Sequence, residues 1–422
     1  MSQKTQPIRG TKDLFGDDQL RFDYIVKTAQ ELGGLYCYEH LTTPIIEFTE
    51  IFSRTLGNSS DVVNKEMYSF NDRGGESITL RPEFTASICR AFISNGLDHQ
   101  LPLKLFSYGP LFRYERPQKA RQRQFHQLNF EALGIDSYLI DVEMIAMAAH
   151  LLRKLKIDSM VELNINSLGC IKSRLSYRTA LVEYLSKYSN DLSDDSKIRL
   201  QQNPLRILDS KDENDQLIIA DAPLIDNYFT KEANEFYENI LNALTEKGIA
   251  YKKNPKIVRG LDYYTHTAFE FVTEELGAQG TVLAGGRYDN LIKNLGGRDT
   301  PGIGFAAGIE RLSLLLPKSP TTRRPISVIP IMPEQYGYAA HLVDILRDHD
   351  FMVHFELEED MNNKKRMKRA LAKNAKAIIF IGETEIANNT VTLKELDHSR
   401  ETEISNSDLI DKLSLMRDYS EL

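Results

Sequence analysis

The chain has 422 residues, 41% of them apolar and 27% charged, which suits two or three soluble domains with ordinary hydrophobic cores rather than a fibre or a disordered tail. No stretch approaches the ~18 uninterrupted apolar residues of a membrane span, and the N-terminal MSQKTQPIRGTKDLFG lacks the apolar run of a secretion signal, so a cytoplasmic protein is expected. A net charge of −8 disfavours a general nucleic-acid coat and confines any RNA contact to a local basic patch.

Three cysteines, Cys37, Cys89 and Cys170, are far apart and odd in number. They read as small buried hydrophobes rather than a disulfide framework or a zinc site.

In chain order, the first segment rich in chemistry is SITLRPEFTASICRAFI, Ser77 to Ile93. It starts as a strand and turns helical after Pro82, a residue suited to a first helical turn. Glu83 and Thr85 sit at that junction. A carboxylate there can hold an ammonium group, but acids favour a first helical turn anyway, and helix-start chemistry accounts for them unaided.

Next comes LFRYERPQKARQRQFHQLNFEALG, Leu111 to Gly134. Arg113, Arg116, Lys119, Arg121 and Arg123 make a basic loop around a turn at Pro117, between two strands. Guanidinium groups grip phosphate oxygens in pairs, so the loop suits a polyphosphate; a solvated basic loop is the alternative. Side chains alternate faces along a strand. One face of the return strand therefore carries Phe125, Gln127, Asn129 and Glu131, and the other His126, Leu128 and Phe130. The polar row either faces water or lines a pocket able to read a small ligand with ring N–H groups.

From about residue 171 to 247 the pattern is helical, with Tyr177, Leu181, Tyr184, Leu185 and Tyr188 at the spacing of a helix core face and a break at Asn203-Pro204. This reads as an insertion in a larger antiparallel domain. KIVRGLDYYTHTAFEFV then suggests a strand with a bulge at Gly260, carrying Arg259, Asp262, Tyr263 and Tyr264. In LAGGRYDNL, Gly285-Gly286 suggests a turn before Arg287 and Tyr288. GIGFAAG reads as a strand end entering a helix at IERLSLLL, which puts Arg311 near the helix start. Neither a phosphate loop nor a dinucleotide fingerprint is present. His40, His99, His126, His150, His266 and His341 lack metal-ligand spacing and read as surface or satisfied core residues.

PKSPTTRRP, Pro317 to Pro325, reads as a linker. Beyond it the strands PISVIPIMP, FMVHFEL, KAIIFIG and NTVTLKEL alternate with helical stretches around Tyr338–Arg347 and Asn363–Ala375. That predicts an α/β domain with a mostly parallel sheet.

Together these segments resemble a class II aminoacyl-tRNA synthetase, and in detail the histidyl-tRNA synthetase family, over almost the whole chain. LTTPIIE, with Pro44, is similar to the first class motif, FRYERPQKARQRQFHQ through Glu131 to the second, and PGIGFAAGIERL to the third. RGLDYYT and AGGRYD resemble the two histidine-specific peptides. The resemblance implies a catalytic α+β domain over 1–320, built on an antiparallel sheet with a helical insertion at about 171–247. An anticodon-binding α/β domain over 326–422 follows.

It further implies ATP-dependent activation of L-histidine, transfer to the tRNA for histidine, Mg²⁺ accompanying ATP, no resident metal and a homodimer with Pro44 at its interface. Glu83 and Thr85 are implied to hold the substrate's amino group. Gln127, Glu131 and Tyr264, with Tyr263 and Tyr288 nearby, are implied to shape the imidazole pocket. The resemblance likewise implies catalytic cations, Arg113 at the α-phosphate and the carboxylate and Arg259 as a second cation at the α-phosphate, with Phe125 and Arg311 sandwiching adenine and Arg121 reaching the distal phosphates. Lys364, Lys365, Arg366, Lys368 and Arg369 make a candidate RNA patch, or a solvated helix face.

Tyr114 (usually His), Ala120 (usually Gly) and the bulky Phe84 depart from the family pattern. Three rivals are weighed. A regulatory subunit of ATP phosphoribosyltransferase generally lacks the RGLDYY segment and the C-terminal domain. A synthetase for another amino acid does not fit the arginine-tyrosine segments and Glu131. A plain RNA-binding module leaves the polar row without a purpose.

Overall fold

The structure is a computed structural model describing residues 5–57, 62–118, 120–257, 263–277, 280–320, 323–358 and 362–416. The chain divides into two compact units, Met1–Ser319 and Pro320–Leu422.

The first unit begins with α1 (Asp17–Leu35), β1 (Glu39–His40), β2 (Ile46–Phe48) and α2 (Thr49–Leu56). Then come β3 (Tyr68–Asn71), β4 (Ser77–Leu80), α3 (Thr85–Ser94) and the long hairpin β5 (Leu103–Phe112) and β6 (Gln124–Leu133). α4 (Tyr138–Lys154) and β7 (Glu162–Ser167) precede four helices, α5 (Ile171–Ser186), α6 (Asp194–Gln202), α7 (Glu213–Ala220) and α8 (Lys231–Glu246). β8 (Lys252–Lys253), β9 (Thr265–Val272), β10 (Thr281–Arg287), α9 (Leu291–Asn294), β11 (Gly302–Gly308) and α10 (Ile309–Leu315) complete it.

Eight strands form one sheet in the order β1-β5-β6-β11-β10-β9-β7-β8. All inner pairs are antiparallel; only the outer pairs β1–β5 and β7–β8 are parallel. The two faces differ as the period-two pattern of β6 predicts. Leu128, Phe130 and Ala132 join Ile303, Phe305 and Ala307 in the main core, which α1, α4 and α8 cover with residues such as Ala29, Ile145 and Ile240. Across this face run Phe106, Phe130 and Phe305, with ring centroids 4.6 and 5.0 Å apart.

Gly285 is next in that row, paired with Phe305 on one side and Phe269 on the other. A Cβ there would lie 2.7 Å from an atom of each phenylalanine. The Gly285-Gly286 pair is thus mid-strand and not the turn its sequence suggests: the glycines are needed for close approach, not for turning.

The helical insertion is narrower than its sequence implies. α5–α7 and their connections build a small core of their own from Tyr177, Leu181, Leu185, Ile207, Ile219 and neighbours. α8, though contiguous with them, sends Tyr237, Ile240, Leu241 and Leu244 into the main core. Tyr184 is half-buried and Tyr188, past the end of α5, is 38% exposed, so the predicted stripe extends only through Leu185. α3 begins at Thr85, three residues beyond Pro82. Only Cys89 is buried; Cys37 is exposed and Cys170 half-exposed, a correction to the reading of all three as core residues.

The second unit holds β12 (Ile326–Pro330), α11 (Tyr336–Asp348), β13 (Val353–Phe355), α12 (Asn363–Ala372), β14 (Ala377–Ile381), α13 (Glu383–Asn388), β15 (Thr390–Glu395), β16 (Arg400–Ser405) and α14 (Asn406–Leu415). Its sheet, β13-β12-β14-β15-β16, is mixed rather than mostly parallel: β13, β12 and β14 are parallel, while β15 and β16 run antiparallel. The reason is connection length. Only four residues link β15 to β16, enough for a hairpin, whereas a parallel crossover takes about a dozen. Among the described residues no helix is long and apolar enough to cross a membrane.

Candidate active site

A cavity of about 350 Å³ opens on the sheet face opposite the main core. Its floor is low because the strands beside β6 are nearly bare on this side. Asn129 pairs with Ala306 and Ala306 with Ala284; Glu131 pairs with Gly304 and Gly304 with Gly286. A Cβ at Gly304 would fall 1.7 Å from Glu131 Oε2, and one at Gly286 2.8 Å from the Tyr264 ring. The small residues make the space into which the polar row projects.

Phe125, Gln127 and Asn129 all line the cavity, so the predicted row is a pocket wall and not a wet face. Glu131 is deeper and buried. Its Oε1 accepts a hydrogen bond from Thr85 Oγ1 at 2.6 Å, and its Oε2 accepts from the Tyr288 hydroxyl. Burial pushes this carboxyl up to about 7, against the pull of the Thr85, Tyr288 and Asn129 hydrogen bonds. Tyr263 packs between Tyr264 and Tyr288, at centroid distances of 4.8 and 5.8 Å. All three tyrosines line the cavity.

Glu83 has both of the roles weighed for it within reach. Its carboxylate accepts the backbone N–H groups of Thr85 (3.0 Å) and Ala86 (2.7 Å), capping α3, and it also lines the cavity. Burial raises its pKa, while the Ala86 N–H and the Arg113 charge oppose the rise.

The other end of the cavity is cationic. Arg113, Arg121 and Arg311 line it together. Arg113 Nε donates to the Pro82 carbonyl (3.0 Å), and its guanidinium carbon lies 5.4 Å from the Phe125 ring centroid. Arg121 pairs with Glu115. Arg311, in the first turn of α10, donates to the Thr281 carbonyl at 2.5 Å. Burial lowers its pKa and the nearby Arg121 and Arg113 charges lower it further. Arg259 lies outside the described residues, as do Gly260, Asp262 and Lys119; the strand read from KIVRGLDYY is described only from Thr265.

Several contacts have no signal in the sequence. Glu310 accepts the His126 N–H with both oxygens (3.0 Å each) and meets His126 Nδ1 at 2.9 Å, tying α10 to β6. His266 is half-buried, and its Nδ1 has no hydrogen-bond partner among the described residues. Arg287 forms a fully buried pair with Asp141 behind the pocket. Asn129 did have a signal, the same alternation as its neighbours. Ala120 takes the left-handed conformation, with φ of 62°, which glycine adopts without strain.

Pro44 is on the surface. Next to it Ile45, Ile46 and Phe48 are 40–49% exposed, and Phe70, across β4 in a separate three-stranded sheet of order β2-β4-β3, is 48% exposed. Arg81 holds this corner from beneath, donating to the carbonyls of Thr43 (2.7 Å) and Pro44 (3.3 Å). In the second unit the five-residue basic patch is reduced to three. Arg366 is buried and donates to the Pro330 (2.5 Å) and Glu358 (2.8 Å) carbonyls, and Arg369 pairs with Glu356 and Glu358. Lys364, Lys365 and Lys368 remain exposed.

The family model described as Histidyl-tRNA synthetase matches residues 10–312, and that described as Anticodon binding domain matches residues 326–415. A histidine–tRNA ligase of Wolbachia pipientis wMel is 53% identical over 408 residues, which are 97% of this chain and 99% of the relative. One of Rickettsia bellii (strain RML369-C) is 52% identical over 402 residues, 95% and 96% of the two chains. The crystal structure of apo histidyl-tRNA synthetase from S. aureus matches with a TM-score of 0.82 at 32% identity, covering 97% of this chain and 99% of that one. A pocket with a buried acceptor at one end and arginines at the other, in a chain so fully covered by these relatives, leads to one conclusion: the chain belongs to the histidyl-tRNA synthetase family.

Proposed function

We propose that the chain is an ATP-dependent histidine–tRNA ligase that forms histidyl-adenylate and pyrophosphate, then transfers histidine to the 3′-terminal adenosine of its tRNA. The observation that carries this reading is the polarity of the cavity. Its deep end offers a buried carboxylate, Glu131, set among Thr85 and three tyrosines, and its open end offers three guanidiniums. A ligand that donates ring N–H groups at one end and carries phosphate at the other suits both.

In this reading Glu131, Gln127 and Tyr264 hold the imidazole, with Tyr263 and Tyr288 closing around it, and Glu83 and Thr85 take the ammonium group. The substrate carboxylate attacks the α-phosphate in line. Charge grows on the phosphoryl oxygens, so alignment and fixed cations do the catalytic work. Arg113 and Arg259 act there, Phe125 and Arg311 enclose adenine, and Arg121 holds the distal phosphates. Mg²⁺ enters as part of the nucleotide complex, held mainly by phosphates and water. Two carboxylates near the arginines, Glu115 and Glu310, are already engaged by Arg121 and by His126. Among the described residues no cluster of three metal-ligating side chains occurs.

The exposed apolar corner around Pro44 supports a homodimer interface there, since a monomer gains nothing by wetting Ile46, Phe48 and Phe70. The second unit is assigned anticodon binding on the family match over 326–415. The reaction is placed in the cytoplasm, in keeping with three unpaired cysteines.

The test is ATP–pyrophosphate exchange with each of the twenty amino acids separately. Exchange with histidine alone is expected. No exchange with any of them, from folded protein, would overturn the reading in favour of a regulatory subunit that has kept the fold without the chemistry.

A further inference from the structure

Tyr264 lines the pocket from just outside the neighbouring strand. It precedes β9, and its ring lies over Gly286. One anchor of its backbone comes from the junction between β7 and the helical insertion. Arg174, in the first turn of α5, donates from Nη1 to the Tyr264 carbonyl at 2.7 Å, across ninety residues of sequence. The junction itself is stitched to the start of β9: Leu168 N–H donates to the His266 carbonyl (2.6 Å) and His266 N–H to the Gly169 carbonyl (2.9 Å). One residue before the last of β7, Asn166 donates from Nδ2 to the Ile257 carbonyl at 3.0 Å. Beneath the Tyr264 ring, Leu168, Ile257 and Ala268 form a small apolar cluster. Both described flanks of residues 258–262 are therefore fastened to the same short stretch of chain, 166–174.

We propose that Arg174 is a positioning residue for histidine recognition, acting through the Tyr264 backbone, so that the insertion's first helix serves as a strut for the amino-acid pocket. The inference rests on the histidine-activating reading above. Its physical basis is directional. A guanidinium presents donors in a fixed plane, and a charge-assisted bond to a carbonyl fixes the peptide that carries the Tyr264 side chain. Arg174 bonds the Tyr264 backbone and is not itself among the residues lining the cavity, so its loss should act first on the histidine end.

The test compares Arg174→Met, which keeps the apolar stem and removes every donor, with Arg174→Lys, which restores one. Exchange kinetics are measured on the full chain with histidine and ATP varied in turn, alongside melting temperature and histidine affinity by calorimetry. In Arg174→Met the KM for histidine should rise about tenfold, the loss expected from one charge-assisted hydrogen bond, with the KM for ATP within about twofold of the parent. Arg174→Lys should recover most of the histidine KM. A stably folded Arg174→Met chain with parental histidine KM and affinity overturns the proposal, as do equal rises in both KM values. Absence of histidine-dependent exchange in the parent chain would instead overturn the activity reading, and the calorimetric ratio of variant to parent would still judge Arg174.

Discussion

Glu131 is a carboxylate in a place that disfavours its charge. Burial raises it from 4.5 to about 7, so the folded chain binds its proton more tightly than the unfolded chain does. Stability is then lost as the pH rises from 4.5 through 7, and above 7 the ionised group costs about 3 kcal/mol. A ligand that donates an N–H to the carboxylate would offset that cost, as the proposed role in binding histidine requires. Glu131→Gln should therefore melt a few degrees higher than the parent at pH 8, with the gap closing by pH 4.5, while its KM for histidine rises about a hundredfold or more. Melting curves at the two pH values check the first claim and exchange kinetics the second; a variant less stable at pH 8 would mean that the Thr85 and Tyr288 hydrogen bonds outweigh burial. The alternation that puts Phe125, Gln127, Asn129 and Glu131 on one face is legible in sequence because a strand has a fixed period. The Tyr288 hydroxyl on Glu131 and the Glu310 clasp on His126 are not, since residues 157 and 184 positions apart meet only through the sheet order.

The strands β10 and β11 separate two uses of glycine that look alike in a sequence. Gly285 faces the main core, where an added Cβ would stand 2.3 Å from the Gly304 carbonyl oxygen and 2.7 Å from atoms of Phe269 and Phe305. Gly304 faces the pocket, where a Cβ would meet Glu131 Oε2 and, at 2.6 Å, the Phe130 carbonyl oxygen. Neither residue has positive φ among the described residues, so the turn suggested by Gly285-Gly286 mistook a need for space for a need for conformational freedom. Gly285→Ala should lower stability by about 1–3 kcal/mol, as overpacking does, with exchange activity per folded molecule nearly intact. Gly304→Ala should lose histidine-dependent exchange out of proportion to its melting temperature, because it displaces the acceptor itself. If the two variants lose activity and stability in the same ratio, the floor of the pocket and the core behind it are not separable in this way. The same limit explains the insertion. Its helical spacing is visible in sequence, but nothing in the spacing of α8 says that its apolar face turns to the main sheet rather than to α5–α7.

At the level of the whole molecule, the proline-rich stretch at 317–325 marks where one buried core ends and another begins, and the two compact units meet in sequence at Ser319–Pro320. The parallel part of the second sheet was legible because strand–helix–strand alternation implies it, and the antiparallel part was not because β16 follows β15 through a four-residue connection in a polar stretch. That unit also decides how an acidic chain with net charge −8 can hold RNA. With Arg366 directed inward and Arg369 paired with Glu356 and Glu358, the charge α12 offers to phosphate is that of Lys364, Lys365 and Lys368. If those three lysines contact the tRNA backbone, each releases counterions on binding, and the triple substitution to alanine should flatten the dependence of log affinity on log salt by about 2. Histidine-dependent pyrophosphate exchange should stay at the parental level, because every residue proposed for activation belongs to the first unit, and removal of everything after Ser319 should likewise weaken tRNA charging far more than exchange. An unchanged salt slope in the triple variant would return the three lysines to a solvated helix face, and the RNA contact would then have to come from other residues of the unit.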